Sequence, residues 1–567
     1  MPKPLLLFVY PEVPDTYWSY KHALSFVGKK ALMPPLGLAT VAAMVPESYE
    51  CRIVDLNVER LSRRLLSRAE LVLISAMIVQ ADSMDRLIAR CRGAGVPVAV
   101  GGPHATSSHD EIEGVDYFIL GEAEEVFPRF LADFATGTAA PLYRCEGRPD
   151  LSAVPIPRFD LLTLARYDSV PIQFSRGCPF DCEFCDIVHL FGRKPRTKPV
   201  DRFMDEVDAI YATGFRGSLF VVDDNFIGNR RAVKELLRAL ADWQRERGYP
   251  FALSTEASVD LAADRGLLQL MVDAGFSMVF VGIETPDAGA LSEAGKLQNL
   301  RNDVEASVRL IQEHGIEVTG GFIIGFDSDP DEIFDLQIDY IRRLAIPTAM
   351  VGLLMALPNT RLHDRLSKEG RIVGRANGNN THEAVLNFRT RMPREHIQRE
   401  YTRVLSTIYA PREYFARCLA LLERYPAADD SMKRERPIKL REVTGFLSSV
   451  GRQLFSRYGV SYLVYLVRAL SRRRDLIVRI VTMAIQGHHY FTITRGLLKR
   501  QLRDERRQWR AIVRGRVRGR MSTLVPAATA AAKSAAGAAA RVATGSAAGA
   551  VEAAAGATAG PTGWEGV

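Results

Sequence analysis

Three of the chain's seven cysteines, Cys178, Cys182 and Cys185, fall within eight residues of the segment RGCPFDCEFCDIVHLFGRKPRTK. The spacing C-x3-C-x2-C lets one loop bring three sulfurs to one centre, and thiolates are soft ligands that suit zinc or an iron–sulfur cluster. A structural zinc site with His189 as the fourth ligand is one interpretation. A four-iron cluster on three thiolates would instead keep one iron open, and an open metal position is where a substrate binds.

The elements that must position this loop are strand–helix units between residues 171 and 365. Six short apolar runs alternate there with helical patterns and predict a partial (β/α)6 barrel, with its chemistry at the carboxyl ends of the strands. The runs are VPIQFS, SLFVVDDNF, FALSTEAS, MVFVGIET, EVTGGFIIGF and AMVGLLMALP.

Residues 1–135 carry five further apolar runs, LLLFVY, CRIVDLN, LVLISAM, VPVAVGG and DYFILGE. Each is rich in β-branched residues and is followed by a loop or helix, which predicts a doubly wound, Rossmann-like parallel sheet. In such a sheet, ligands bind beyond the carboxyl ends of the strands. The other predicted segments are an interdomain connection at 136–170, a mixed extension at 366–430, a basic helical region at 431–521 and a disordered Ala/Gly-rich tail at 522–567.

Composition favours an ordinary soluble protein, with 47% hydrophobic and 25% charged residues. The cysteines are odd in number and four of them are scattered singly, which argues against a disulfide framework and for a reducing compartment. The N-terminal apolar run is too short for a signal peptide. We therefore expect a cytoplasmic protein.

Positive charge is concentrated near the C-terminus, where residues 433–520 contain 23 Lys and Arg against 5 Asp and Glu. Apolar segments in this region are shorter than the roughly 20 residues needed to span a bilayer. Two interpretations stay open: cationic amphipathic helices that lie on the inner face of an anionic membrane, or a helical domain that packs on the barrel. Aromatic residues are sparse between the charges, so nucleic-acid binding is not expected.

The C-x3-C-x2-C motif after the first strand of a partial barrel, with Phe184 before the last cysteine, resembles the radical S-adenosylmethionine superfamily. The resemblance implies that Cys178, Cys182 and Cys185 hold a [4Fe–4S] cluster whose fourth iron binds S-adenosylmethionine. Further cofactor-binding positions implied by the family are Asp223 and Asp224 near the methionine amine, Glu256 at a position we assign to the fourth strand, Glu284 at the end of VGIET, and Gly321 and Gly325 along the adenine. Many members carry Gly-Gly-Glu where this chain has Val221-Val222-Asp223-Asp224.

A doubly wound domain before such a barrel resembles the cobalamin-binding class of this superfamily, the class B type methylases. The resemblance implies cobalamin as a further cofactor. The chain lacks the D-x-H-x-x-G signature of cobalamin domains that supply a histidine to cobalt, so His104 is not assigned as a ligand; a purely structural domain is the alternative. The ligand-lining turns implied by the class contain Met33, Gly37, Ser75, Gly101, Gly102, His104, Gly121 and Glu122.

Within this class, the segments FVVDDNFIGNR, FVGIETPD and LLMALPN resemble the hopanoid C-2 methylase group. The resemblance implies that a 5′-deoxyadenosyl radical takes a hydrogen atom from an unactivated carbon and that methylcobalamin donates the methyl group. It also implies an apolar, terpenoid-like substrate and a reductant such as flavodoxin or ferredoxin. Two alternatives stay open: a cyclisation or rearrangement without methyl transfer, and a non-catalytic zinc protein that binds a membrane or nucleic acid.

Overall fold

A computed structural model describes residues 3–381, 384–426 and 440–517, with side chains from 443 to 503 in the last range. Residues up to Leu498 belong to one compact unit. Of the second unit, Lys499–Val567, the structure describes only the end of the last helix. The tail predicted from residue 522 lies outside the described residues.

The first sheet has six parallel strands, and apolar side chains cover both of its faces. Leu5, Leu7 and Val9 of the first strand pack on one side, whereas Leu6 and Phe8 pack on the other. Because successive side chains of a strand point to opposite faces, a continuous apolar run fills two helix–sheet layers. The strands, in the order β2-β1-β3-β4-β5-β6, are β1 (Leu5–Tyr10), β2 (Glu50–Asp55), β3 (Ala69–Ser75), β4 (Val98–Gly101), β5 (Tyr117–Leu120) and β6 (Leu142–Arg144).

The prediction of five strands in this domain was one short. Strand β6 lies within the predicted connection 136–170 and pairs in parallel with β5. It contributes one buried side chain, Tyr143, so its three residues carry no apolar alternation that a sequence pattern could reveal. The helices of this part are α1 (Lys21–Leu24), α2 (Leu36–Ala42), α3 (Arg63–Leu66), α4 (Ala81–Gly93), α5 (Gly102–Ser108) and α6 (Ala123–Thr136).

The second sheet confirms the six-stranded partial barrel. All its pairings are parallel, and the sheet ends at β14 on one side and β7 on the other. A separate antiparallel pair, β8 (Ser175–Arg176) with β9 (Arg196–Thr197), encloses the cysteine loop. The barrel strands are β7 (Ser169–Ile172), β10 (Ser218–Val221), β11 (Ala252–Glu256), β12 (Phe276–Glu284), β13 (Glu317–Ile324) and β14 (Ala349–Leu353).

This order corrects one assignment: Glu256 ends the third barrel strand, and Glu284 ends the fourth. The error arose because every strand here is a similar apolar run, so strand number must be counted along the whole barrel. The surrounding helices are α7 (Ile187–Phe191), α8 (Val200–Ala212), α9 (Arg230–Glu246), α10 (Arg265–Ala274), α11 (Ala288–Glu293), α12 (Leu297–Leu300), α13 (Val304–Glu313), α14 (Ile333–Arg343) and α15 (Arg361–Lys368).

Among the described residues, five C-terminal helices follow, and buried tyrosines join them to the barrel and the N-terminal segment. Tyr409 stacks on Tyr490 with ring centroids 4.7 Å apart and on Tyr17 at 5.3 Å. None of the described helices combines the length and apolar composition of a membrane span. The helices are α16 (Arg394–Ile408), α17 (Pro411–Arg424), α18 (Leu440–Gln453), α19 (Gly459–Arg472) and α20 (Ile477–Val517).

A buried ion-pair network connects the first sheet to the barrel. Glu122, which follows β5, accepts from Arg176 Nη1 at 2.7 Å and from Arg196 Nη2 at 2.6 Å. Arg176 also donates to Glu124 Oε1 at 2.7 Å. Since Arg176 and Arg196 belong to β8 and β9, this network attaches the pair of strands around the cysteines to the first domain.

The substitution Glu122→Gln tests this connection. It removes the charge that neutralises two largely buried arginines, and breaking a buried ion pair costs about 3–5 kcal/mol. We expect the unfolding temperature of the full chain, measured by differential scanning fluorimetry, to fall by several degrees. The matched control is Glu125→Gln, an exposed position in α6, the helix that begins directly after Glu122, and it should leave the unfolding temperature unchanged. Equal unfolding temperatures for both variants would contradict the role of Glu122.

Candidate radical and cobalamin site

Acidic side chains hold the four residues that precede the first cysteine of the motif. Asp223 Oδ1 accepts from the backbone N–H of Phe174, and Asp223 Oδ2 accepts from the N–H and hydroxyl of Ser175, at 2.6–2.8 Å. Asp224 Oδ2 accepts from Gly177 N at 2.9 Å. These contacts, together with those of Arg176, fix the entry to the loop. Asp223 therefore acts on the protein backbone, and the contact with a methionine amine expected for it stays a prediction.

The three cysteine sulfurs lie in an environment that fits an iron–sulfur cluster. Burial raises the pKa of all three thiols, so metal binding must displace their protons. Gln298 Nε2 donates to the Cys182 sulfur at 4.0 Å, and hydrogen bonds to the sulfurs tune the potential of iron–sulfur clusters. The backbone N–H groups of Phe180 and Ile187 offset part of the rise in the pKa of Cys178 and Cys185.

The geometry does not favour the zinc interpretation with His189. The His189 side chain is exposed on α7, whereas Cys182 is buried.

A buried lysine that the sequence analysis missed lies beside the cysteines. Lys296 Nζ donates to Glu284 Oε1 at 2.6 Å and lies 6.0 Å from the ring centroid of Phe184. Burial alone would lower the pKa of Lys296, but Glu284 and the thiol of Cys182 raise it above its ordinary value. The cation therefore stays charged next to the cluster loop.

Backbone geometry around β12 makes room for this ion pair. A Cβ at Gly282 would lie 2.5 Å from Glu284 Oε1 and 2.7 Å from Lys296 Nζ, so a side chain there would displace the pair. Glu284 has φ +66° at a register shift between β12 and β13. Asn299 Nδ2 donates to the carbonyls of Gly282 and Ile283 and stabilises this irregular turn. Nothing in the sequence pattern around Gly282, Lys296 or Asn299 indicates these roles.

Carboxylates at the ends of β10 and β11 give the barrel mouth a negative potential. Burial, helped by the neighbouring carboxylate of Asp224, raises the pKa of Glu256 to about 7. Burial raises the pKa of Asp224 to about 6. Such crowded acids favour a cation among them, and S-adenosylmethionine carries an ammonium and a sulfonium. The residues present therefore fit this cofactor.

The two predicted adenine-side glycines lie on β13, at a crowded position, and in the turn after it, where φ is positive. A Cβ at Gly321 would lie 2.7 Å from Cζ of Phe280. Gly325 has φ +109° and its N–H donates to Asp329 Oδ2 at 2.7 Å. Phe184 is half-buried, with its ring centroid 6.3 Å from that of Phe326.

At the carboxyl edge of the first sheet, glycines and unpartnered polar atoms form a cradle that fits cobalamin. A Cβ at Gly102, which has φ +85°, would lie 2.3 Å from Ser75 Oγ. Gly101 and Gly121 are similarly crowded by Ile119 O and Cys145. Within the described residues, His104 Nδ1, Ser107 Oγ and Ser108 Oγ are buried and have no hydrogen-bond partner. Burial lowers the pKa of His104, which favours the neutral ring.

For three of the predicted cobalamin-side residues, contact with the cofactor stays a prediction. Glu122 forms ion pairs with Arg176 and Arg196, which gives it a role between the domains as well. Met33 precedes α2, next to Leu32, whose carbonyl accepts from Ser169 N at the start of β7. Gly37 lies in the first turn of α2 and is exposed.

Sequence comparisons assign both halves of this site to known domain families. The radical SAM superfamily profile matches residues 172–340, and the B12 binding domain profile matches residues 30–131. A domain of unknown function (DUF4070) matches residues 360–502. The family matches thus cover both cofactor sites and most of the C-terminal helices.

Several similar proteins are methyltransferases or methylases by name. An uncharacterized methyltransferase of Synechocystis sp. is 46% identical over 413 residues, which cover 72% of this chain and 77% of that protein. The hopanoid C-2 methylase of Rhodopseudomonas palustris is 34% identical over 74% of this chain and 78% of that protein. The hopanoid C-3 methylase of Methylococcus capsulatus is 27% identical over 53% of this chain and 62% of that protein.

Solved structures share the fold. TsrM of Kitasatospora setae, a radical S-adenosylmethionine methyltransferase with cobalamin and a [4Fe–4S] cluster bound, superposes with a TM-score of 0.52 at 16% identity over 83% of this chain and 100% of that chain. OxsB, a cobalamin-dependent S-adenosylmethionine radical enzyme, gives a TM-score of 0.55 at 14% identity over 88% of this chain and 80% of that chain.

The two sheets, the cysteine loop and the glycine-lined cradle define a cobalamin-dependent radical S-adenosylmethionine enzyme, with a [4Fe–4S] cluster, S-adenosylmethionine and cobalamin as its cofactors. The chain belongs to the methyltransferases of this superfamily, in the group that contains the hopanoid C-2 methylase.

The substitution Lys296→Gln tests the electrostatic role of the buried lysine. Loss of a cation beside the cluster disfavours the added electron, so the reduction potential should fall by on the order of tens of millivolts. Redox titration followed by electron paramagnetic resonance measures this shift, with the iron content unchanged. The control Lys194→Gln removes an exposed lysine near the same loop and should leave the reduction potential of the cluster unchanged. An unshifted potential in Lys296→Gln would refute the role.

Proposed function

We propose that this protein transfers a methyl group to an unactivated carbon of an apolar, polycyclic lipid of the hopanoid kind. The observation that carries the substrate class is the inner face of the barrel. On β10 and in the middle of β12, buried side chains alternate with half-buried ones, and the half-buried ones are those that we assign to the barrel interior. On β12, Val279 and Val281 are fully buried, whereas Phe280 is half-buried.

Apolar side chains of several strands share this inner face. Phe220 of β10 and Ile323 of β13 are half-buried like Phe280. Trp18, from the segment before α1, meets the Phe280 ring edge-on at 5.0 Å and is 39% exposed. An interior with accessible aromatic and aliphatic surface suits an apolar acceptor.

The protein's own residues position the reaction. When bound, the cofactors supply the radical that removes a hydrogen atom from the acceptor and the methyl group that replaces it. Glu284 and Lys296 form an ion pair that keeps the lysine charged beside the cluster loop. Asp224 and Glu256 attract the cationic S-adenosylmethionine. The apolar interior holds the acceptor and excludes water, which limits side reactions.

The direct experiment supplies the anaerobically reconstituted full-length protein with cobalamin, a reductant, a hopanoid and S-adenosylmethionine with a deuterated methyl group. The expected product is the hopanoid with one deuterated methyl group, detected by mass spectrometry. A product of unchanged mass or with a new ring would favour a cyclisation or rearrangement instead. Turnover of S-adenosylmethionine without any altered hopanoid would reject this acceptor class.

The substitution Trp18→Ala tests the apolar interior. Loss of a large aromatic contact worth about 1–2 kcal/mol should raise KM for the lipid about tenfold. The yield of 5′-deoxyadenosine without acceptor should stay the same, because Trp18 is not placed at the cluster. Trp18→Phe keeps an aromatic edge against Phe280 and should recover most of the affinity. An equal KM for all three proteins would remove Trp18 from the acceptor site.

We also propose a cytoplasmic location and a one-electron reductant such as flavodoxin or ferredoxin. All seven cysteines are free thiols, which supports a reducing compartment. A radical enzyme of this superfamily needs an electron for its cluster.

A further inference from the structure

The helix α19 is apolar on two opposite faces, and only one of them is covered. Tyr462, Tyr465, Leu466 and Ala469 are buried, and Tyr465 stacks on Phe415 of α17 at 4.6 Å. This face attaches the helix to the protein core. The second face therefore is not required for folding, and its composition needs a separate explanation.

The second face carries an exposed apolar stripe. Val460, Leu463, Val464 and Val467 follow the spacing i, i+3, i+4, i+7 and lie on one side of the helix. They are 44–78% exposed. Phe455, in the turn between α18 and α19, is 87% exposed. We name these five residues the α19 stripe. Exposed apolar patches of this kind mark interaction sites.

Positive charge is concentrated in the segment that contains the stripe. Residues 443–474 contain six arginines and no Asp or Glu. Arg472 pairs with Glu423, Arg473 with Asp475, and Arg452 donates to Ser25. In the part of the chain that the structure describes, the side chains of Arg457, Arg468 and Arg474 have no ion-pair partner. Three arginines without an ion-pair partner in the described structure thus lie in the same segment as the apolar residues.

We propose that the α19 stripe docks this enzyme on an anionic lipid membrane. A lipid surface accepts apolar side chains among its acyl chains and arginines among its anionic headgroups. Charge disfavours a second copy of this chain as the occupant, because symmetric pairing would bring the arginines against each other. Membrane docking through the α19 stripe is separate from the proposed methyl transfer and does not depend on the identity of the acceptor.

The surface is a smaller part of the basic region 431–521 that the sequence suggested. The apolar residues at the start of α20, such as Ile480, Met483 and Ala484, are buried against the barrel and the other helices. They are unavailable to a membrane. The docking residues belong to α19 and the turn before it, within the matched domain of unknown function.

Vesicle cosedimentation of the full-length, reconstituted protein tests the proposal. The vesicles contain phosphatidylcholine alone or phosphatidylcholine with phosphatidylglycerol. We expect binding to the anionic vesicles and little to the neutral ones. Phe455→Ser combined with Val464→Ser should weaken binding at least about tenfold. The double substitution Arg457→Gln with Arg468→Gln should weaken vesicle binding about tenfold at low salt. The difference from the wild type should be smaller at high salt, where charges are screened.

Two controls separate the stripe from folding and from other exposed apolar side chains. Leu336→Ser removes an apolar side chain on α14 that is 42% exposed and should leave binding unchanged. Circular dichroism and iron content should match the wild type in every variant, since exposed substitutions cost little stability. Three results would each overturn the proposal. The Phe455/Val464 variant could bind anionic vesicles as well as the wild type does, or the wild type could fail to bind them. The third result is a dimer that forms without vesicles and depends on the stripe. Methyl transfer to a dispersed substrate tests the function separately.

Discussion

Carboxylates of the first domain and of the barrel form hydrogen bonds or ion pairs with the four residues immediately before the first cluster cysteine. Asp223 holds Phe174 and Ser175, Glu122 and Glu124 hold the Arg176 side chain, and Asp224 holds Gly177. The position of the cysteine loop therefore depends on both the barrel and the first domain. Since buried charged groups are stable only when they are paired and hydrogen-bonded, this segment cannot move without a large free-energy cost.

This constraint explains how a chain with two cofactor-binding sheets can place them in a fixed relation. Glu122 lies one residue after Gly121 at the carboxyl edge of the first sheet, and Arg176 lies two residues before Cys178. The ion pair between them thus links the edge that would hold cobalamin to the loop that would hold the cluster. A substrate carbon that reacts first with one cofactor and then with a second requires that the protein hold both cofactors in fixed positions.

Local patterns predicted much of this arrangement. The apolar runs indicated both sheets, and the cysteine spacing indicated the cluster loop, because each depends on residues close in sequence. The roles of Glu122 and Asp223 could not be inferred, because a carboxylate after a strand looks the same whether it faces a ligand or a neighbouring domain. Lys296 was missed for a related reason: its partner Glu284 lies on another element, and Gly282 accommodates the pair through a backbone irregularity.

The C-terminal helices show the same limit. The sequence left open whether the basic region packs on the barrel or faces a membrane, and the structure shows that α20 does pack through Tyr490 and its neighbours. Hydrophobic periodicity cannot tell which of two apolar faces of α19 is buried. That distinction depends on where Phe415 lies in the folded chain.

The most direct test of this account is the iron, cobalt and zinc content of the full-length protein, purified without oxygen and supplied with cobalamin. The account predicts about four irons and about one cobalt per chain, with iron lost and cobalt retained when Cys178, Cys182 and Cys185 are replaced by alanine. Iron without cobalt would contradict the role of the first domain. Zinc without iron would contradict the account as a whole.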